Sequence, residues 1–282
     1  MQTIHGATLT PVQITAIQNL ANDVINYIDT LPQYTEDLQC YLVGGALRDA
    51  VHPQESNPKD WDFVIVGETK ESMIDRGFYE IDAASFPVFH DEDRQEFALA
   101  RRETKPDDEF GYKGIQPETG DISLTSDLTR RDLRMNAITL EITTSQTDAP
   151  DSHIDPDNKI AIETVDGKRN LIDLFGGIQD INNGIIHHIN EAFAEDPLRV
   201  LRAARYAARY LYEGDTFTIA PETKQLMRKV VPELNLMSKP RIGEEVEKAL
   251  KQAVVPSEFW RVLVDVGALA VIAPHLDRAR IV

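Results

Sequence analysis

A single cysteine among 282 residues, Cys40, leaves no partner for an intramolecular disulfide. Its place in the apolar run Cys40-Tyr41-Leu42-Val43 reads it as a small buried hydrophobe, so zinc and thiol redox chemistry have no support. No apolar run approaches the ~20 residues that span a bilayer, and the N-terminus lacks the basic start and apolar core of a signal peptide. The expectation is a soluble, cytoplasmic protein. Basic residues are scarce too: 29 Lys and Arg face 47 Asp and Glu, a formal charge of −18. That excludes a protein that coats nucleic acid by charge alone, because such binding needs cations to neutralise phosphates. The deficit is uneven, however. Residues 195–251 carry eleven basic and nine acidic side chains, a net of +2, which leaves −20 for the rest. With 42% hydrophobic and 27% charged residues the chain has the makings of a folded core, and disordered or fibrous classes are out.

Hydrophobic spacing divides the chain. Val12, Ile14, Ile17, Leu20, Ala21, Val24, Ile25 and Ile28 recur at helical spacing over residues 10–29, with Thr10 placed to cap and Pro11 to fill the first turn. A short apolar strand ends at Gly44-Gly45, and residues 46–51 start a helix. Residues 61–66, 87–90, 96–101, 139–142 and 159–165 have strand character, while 69–76 and 127–138 have helical character. The polar stretch 103–123, with Asp107, Asp108 and Glu109, predicts a mobile loop over a surface or a site. The turn at Asp166-Gly167 predicts a decorated hairpin. Beyond His188 strand signals vanish, and 190–212, 221–231, 241–253 and 256–267 all read as helices. His187-His188, on opposite faces of an extended segment, reads as structural.

The most specific chemistry lies in Gly44-Gly45-Ala46-Leu47-Arg48-Asp49 followed by Asp60-Trp61-Asp62. Two glycines between a strand and a helix let the backbone approach an anion such as a triphosphate. A strand has a period of two, so Asp60 and Asp62 are expected to share one face with Trp61 on the other. Two oxygen ligands on one face suit Mg²⁺, which fills its sphere with waters and substrate phosphates. Either half alone is a common surface feature; together on consecutive elements they are far more specific.

These motifs are followed in order by Arg130-Arg131-Asp132-Leu133-Arg134-Met135-Asn136, then Asp173-Leu174-Phe175-Gly176-Gly177, then Glu195-Asp196-Pro197-Leu198-Arg199, and a fifth at Arg241-Ile242-Gly243-Glu244-Glu245. The series resembles the class II tRNA nucleotidyltransferase (CCA-adding enzyme) and bacterial poly(A) polymerase family. Phe86-Pro87-Val88-Phe89 and Glu96-Phe97-Ala98-Leu99-Ala100-Arg101 lie nearest the wording of the bacterial multifunctional CCA-adding enzymes. The resemblance implies an α+β fold: a polymerase β-like nucleotidyltransferase head with a mixed sheet, then an all-helical neck and a short body. Residues 1–38 would be an N-terminal helical extension, 39–186 the head, and 187–282 the RNA-binding neck and truncated body.

By the same resemblance the chain adds CCA to tRNA 3′ ends from CTP and ATP, with Asp60 and Asp62 as catalytic Mg²⁺ ligands. The alternatives are a CC- or A-adding enzyme, a poly(A) polymerase, or a non-catalytic RNA- or nucleotide-binding protein that kept the fold. Glu96 is either a third carboxylate near the metals or a plain surface group. Gly45, Arg48, Arg131 and Asp132 match nucleotide-binding positions. Asp196 and Arg199 match a pair that reads the base, and Arg202 binds the nucleotide one turn along. An Asp before Pro is equally what a helix cap looks like. Arg199, Arg202, Arg205 and Arg209 recur at three- and four-residue spacing and predict a ridge lining a basic groove. Arg134 departs from the Thr or Ser usual in the family. No His-Asp phosphohydrolase signature follows residue 267, so that activity is not expected. The helical part that grips the tRNA elbow is short, a lack that a homodimer would compensate.

Overall fold

The structure, a computed structural model, describes residues 3–35, 37–52, 61–81, 86–104, 116–143 and 154–277. Asp60, Asp107, Asp108 and Glu109 lie outside the described residues. Two units form. Described residues up to 104, with 116–131 and 135–179, make the first; residues 132–134 and 180–277 make the second.

The first unit opens with a hairpin, β1 (Thr3–Ile4) and β2 (Ala7–Thr8), and helix α1 (Pro11–Ile28). The expected cap is present: Thr10 Oγ1 accepts from Gln13 N at 3.2 Å while Gln13 Oε1 accepts from Thr10 N at 2.8 Å. Then come β3 (Gln39–Val43), α2 (Gly45–Val51), β4 (Asp62–Val66), α3 (Lys70–Asp75), β5 (Tyr79–Glu80), β6 (Val88–His90) and β7 (Glu96–Leu99). β8 (Arg102–Thr104) and β9 (Gln116–Glu118) pair as an antiparallel ribbon, so the ends of the expected loop are regular structure. α4 (Leu124–Thr129), β10 (Thr139–Glu141), β11 (Lys159–Thr164), β12 (Gly167–Ile172) and α5 (Gly177–Asn182) follow. The hairpin turning at Asp166-Gly167 is the pairing of β11 with β12.

Eight strands form one mixed sheet in the order β11-β12-β10-β3-β4-β7-β6-β5. Only the β4–β7 pairing among them is parallel. The centre is apolar because Cys40, Leu42, Phe63, Ile65, Phe97 and Leu99 are almost wholly buried, and Phe63 stacks on Phe97 with ring centroids 4.8 Å apart. Helix α1 buries Ile17, Leu20, Ala21, Val24, Ile25 and Ile28, the stripe its spacing predicts, and packs on α2 and β11.

One expected helix is different. Residues 127–138 do not form a continuous helix: α4 ends at Thr129, a turn carries Arg130–Asp132, and residues 134–136 form a single 3₁₀ turn. Asp132 and Asn136 therefore do not share a helix face.

The second unit holds β13 (Ile185–Ile186), α6 (Leu198–Arg209), three two-residue strands β14 (Leu211–Tyr212), β15 (Asp215–Thr216) and β16 (Thr218–Ile219), then α7 (Pro221–Val230), α8 (Lys239–Gln252), α9 (Pro256–Asp265), α10 (Ala268–Ile272) and α11 (Pro274–Asp277). It is mainly helical. The strands after α6 depart from the expectation that none would follow His188; β16 pairs in parallel with β13, and β14 with β15. Among the described residues no helix is long and apolar enough to cross a membrane.

Candidate active site

In the first unit the strand β3 ends at Val43 and the chain turns sharply at Gly44, with φ 77° and ψ −128°, before α2 begins. A Cβ at Gly44 would stand 3.2 Å from Asp62 Oδ2 and 3.8 Å from Arg131 Nη1. Glycine is thus required twice, by the positive φ and by the close approach of a carboxylate and a guanidinium. The neighbouring Gly45 has no such constraint, since its added Cβ would make an ordinary 3.5 Å contact with Arg48 Nη2. The glycine that brings the site together is Gly44, whereas the sequence motif points to Gly45.

Asp62 is the first residue of β4 and is exposed. The register pairs Phe63 with Phe97, so Asp62 and Glu96, one residue earlier on each parallel strand, occupy adjacent positions on the opposite face. Adjacent strands lie about 4.8 Å apart, and both carboxylates are exposed. Two hard oxygen donors at the starts of adjacent strands, one of them beside the backbone turn at Gly44, fit a divalent cation that completes its shell with water and phosphate oxygen. Residues 53–60 lie outside the described residues, so the expected sharing of a face by Asp60 and Asp62 is not tested.

Arg131 is fixed by a carboxylate that the motif does not include. Asp127, wholly buried on α4, accepts from Arg131 Nη2 at 3.0 Å, from Arg130 Nε at 3.0 Å and from the Arg101 backbone at 3.2 Å. Burial alone would raise its pKa, but the Arg131 and Arg130 guanidinium groups outweigh that and hold it below the ordinary carboxylate value. Glu103 bridges Arg101 and Arg130 at 3.1 and 3.2 Å. Burial, and then the Arg130 charge, bring Arg101 down to about 10, still a cation at neutral pH. The guanidinium of Arg101 also lies over the Phe86 ring. Arg131 Nε is buried and donates to no group among the described residues, while Nη1 of the same guanidinium is the atom that approaches Gly44.

Arg48 is buried and held by Asp49 Oδ1 at 2.8 Å and Asn136 Oδ1 at 2.7 Å. It fixes α2 to the turn at 134–136. Asn136 is the partner that the sequence did not disclose, 88 positions away.

The second unit holds the other candidates. Asp132 is buried; its Oδ1 accepts from Leu133 N at 2.9 Å and its Oδ2 from Arg202 Nε at 2.6 Å. Two residues singled out from separate motifs thus form one ion pair, and Asp132 holds the Arg202 guanidinium above its ordinary pKa. Asp196 stands one residue before the N-cap Pro197 of α6; its Oδ1 accepts from Leu198 N at 3.1 Å, and its Oδ2 lies 3.5 Å from Arg241 Nη2. A carboxylate has about four acceptor positions, so these contacts leave room for a further donor. Arg199, largely buried at the start of α6, donates from Nη1 to Ala192 O at 2.7 Å.

The arginines of α6 do not make an open ridge. Arg205 is buried against Glu245 Oε2 at 3.1 Å and Gln252 Oε1 at 2.9 Å, Arg202 is taken by Asp132, and Arg209 lies 5.1 Å from the Tyr210 ring. The recurrence reports internal ties between α6 and its neighbours. The third motif is also architectural: Asp173 is wholly buried and accepts from Gly176 N, Gly177 N and Ile178 N at 3.0, 2.9 and 2.8 Å, clamping the start of α5. His187 lies between Asp180 at 2.7 Å and Glu222 at 3.2 Å, and His188 bonds Thr223 at 2.8 Å.

Comparison with known proteins agrees with these motifs. Residues 40–155 match the poly A polymerase head domain, and residues 216–280 match the probable RNA and SrmB-binding site of polymerase A. A multifunctional CCA protein of Acidovorax sp. (strain JS42) is 38% identical over 245 residues, covering 86% of this chain and 50% of that protein. Another, from Aliivibrio salmonicida (strain LFI1238), is 41% identical over 244 residues, covering 85% of this chain and 52% of that protein. The chain therefore spans about half the length of these relatives. Among solved structures, the Thermotoga maritima CCA-adding enzyme complexed with tRNA superposes with a TM-score of 0.64 at 21% identity, over 97% of this chain and 57% of that one. The Bacillus stearothermophilus CCA-adding enzyme in complex with CTP gives 0.60 at 25% identity, over 87% and 52%. The mixed sheet with its Gly44 turn, the ordered motifs and these likenesses lead to one assignment: the chain belongs to the class II tRNA nucleotidyltransferase and bacterial poly(A) polymerase family.

Proposed function

We propose that this chain is a template-independent RNA polymerase that adds CCA to tRNA 3′ ends from CTP and ATP, releasing pyrophosphate, in the cytoplasm. The observation that carries the reading is the convergence of Asp62, Arg131 and the Gly44 backbone turn within one unit. A carboxylate for metal, a guanidinium and a turn that admits no side chain are what a metal-bound triphosphate requires. Asp60 and Asp62 would hold Mg²⁺, which when bound would activate the attacking 3′-hydroxyl and neutralise the leaving pyrophosphate. Arg131, steadied by Asp127, takes the triphosphate charge. Asp132 holds Arg202, a further residue matched to nucleotide binding, and Asp49 and Asn136 hold Arg48 at the Gly45 turn.

Asp196 and Arg199 read the base. The carboxylate accepts from the exocyclic amine that C and A share, and the guanidinium donates to the adjoining ring acceptor. U and G present a carbonyl in place of that amine and are refused. The helices of residues 187–282 carry the RNA, a role supported by the match at 216–280 to an RNA-binding region. The names of the relatives, multifunctional CCA proteins, favour tRNA over other RNA.

The test is incubation of the chain with tRNA transcripts ending before CCA, after C and after CC, each with single nucleotides and Mg²⁺. The expected result is two C additions and one A, lost in Asp62→Ala without loss of fold, because Asp62 is exposed. Addition restricted to C or to A would replace this reading with a partial CC- or A-adding enzyme. Long A tracts on arbitrary RNA would replace it with a poly(A) polymerase, and an inert wild-type chain that still binds tRNA would leave a binding protein.

A further inference from the structure

We infer that helix α1, which lies outside both family matches, positions the acid-bearing strand through a relay from Tyr27 to the Trp61–Asp62 peptide. The inference rests on the proposed metal role of Asp62. Packing alone does not account for the contacts. The apolar stripe of α1 would cover α2 and the sheet edge without help, yet the helix also sends out two polar tethers. Gln13, on its first turn, is nearly buried and donates from Nε2 to Val51 O at 2.8 Å, holding the last residue of α2. Tyr27, on its last turn, donates its phenolic hydrogen to Asp91 Oδ2.

Asp91 is wholly buried in the turn between β6 and β7. Its other oxygen accepts from Gln95 N at 3.0 Å, and the Gln95 side-chain amide donates to the Trp61 carbonyl. The Tyr27 ring meets the Trp61 indole edge-on, with centroids 5.4 Å apart and planes at 61°. Burying a carboxylate is costly unless hydrogen bonds repay it, so this network is an expensive way to achieve mere cohesion. What it fixes is specific. The Trp61 carbonyl and the Asp62 nitrogen belong to one planar peptide unit, so holding that oxygen sets the plane from which the Asp62 side chain departs. The same turn leads into β7, whose first residue is Glu96. One relay from α1 therefore governs the backbone under Asp62 and the entry to the strand beside it. Small displacements of a metal ligand are felt strongly in a two-metal reaction, where in-line geometry sets the rate.

The test uses the whole chain and its Tyr27→Phe, Gln95→Ala and doubly substituted forms. Tyr27→Phe keeps the ring against Trp61 and removes only the hydroxyl. Two quantities are read: Mn²⁺ binding without nucleotide, followed by the electron paramagnetic resonance of free Mn²⁺, and the Mg²⁺ midpoint of CMP incorporation. Each single substitution should weaken Mn²⁺ binding and raise the Mg²⁺ midpoint by about fivefold, the value of one net hydrogen bond. KM for tRNA should stay unchanged. The double form should be no worse than either single form, because both cut one relay. Wild-type binding of Mn²⁺ with unchanged affinity in the variants, or with shifts that simply add, would overturn the inference while sparing the function. A wild-type chain that takes up no Mn²⁺ would overturn the Asp62 assignment and the inference together.

Discussion

Replacing Asp127 by Asn should destabilise the first unit and loosen Arg131 in one step. The carboxylate serves two guanidinium groups and one backbone N–H, and an amide can keep only part of that set. Removing one partner of a buried ion pair costs about 3–5 kcal/mol. Arg130 and Arg131 retain 15% and 17% side-chain exposure, so water takes up some of the lost interaction, and about 2–3 kcal/mol is the reasonable loss. For a unit of this size that corresponds to a fall in melting temperature of roughly 5–10 °C. The pH dependence carries a sign. Asp127 has a folded pKa below its unfolded value, so its contribution is complete above the unfolded value and disappears as pH falls through the folded one. Thermal melts from pH 7.5 down to pH 3 should show a gap between wild type and Asp127→Asn that narrows toward acid. The released Arg131 should raise KM for CTP about tenfold, since one charge-assisted contact is worth about 1.4 kcal/mol or more. Coincident melts at pH 7.5 would refute the reasoning.

Gly44→Ala should lower incorporation at least tenfold at unchanged KM for tRNA, because a Cβ there must displace Asp62 Oδ2 and adopt a strained φ, at a cost of about 1–3 kcal/mol; steady-state kinetics in CTP and tRNA would check it. Asp196→Asn presents a donor where the base amine needs an acceptor, so the preference for CTP over UTP should fall by roughly 10- to 100-fold in single-turnover incorporation, as loss of one or two discriminating hydrogen bonds would give. Arg205→Met should lower the melting temperature, because buried Glu245 loses its nearer cation and keeps only Lys248 at 3.8 Å, while the choice of C and A over U and G stays as it was; melts and misincorporation ratios on the same preparation separate the two effects.

Much of this was legible from residue order. The stripe and cap of α1, the Gly44-Gly45 turn between strand and helix, and the hairpin at Asp166-Gly167 all follow from local rules and all stand in the structure. The failure at 127–138 has a physical cause. Leu128, Met135 and Ile138 are all buried and lie at spacings that a helix could serve, but the Arg130–Asp132 turn is held by Asp127 gripping two guanidinium groups, which no periodicity reveals. The arginine recurrence on α6 was equally plain and equally incomplete: spacing gives a face, whereas Asp132 and Glu245, which occupy Arg202 and Arg205, are 70 and 40 positions away. Tertiary partners of charged groups decide whether they meet solvent, substrate or one another. In this chain they moved Asp127 into the site and took Arg205 out of it.

The lone thiol gives the molecule a built-in clock. Cys40 is sealed in β3, flanked by β4 and β10, and burial pushes its pKa well above the usual value. A maleimide can reach it only in moments when the middle of the sheet parts. At maleimide concentrations where labelling outpaces reclosing, the labelling rate of the unmodified chain equals the rate of that opening, with no engineered probe, and any ligand that tightens the Gly44 end of the same strand should slow it.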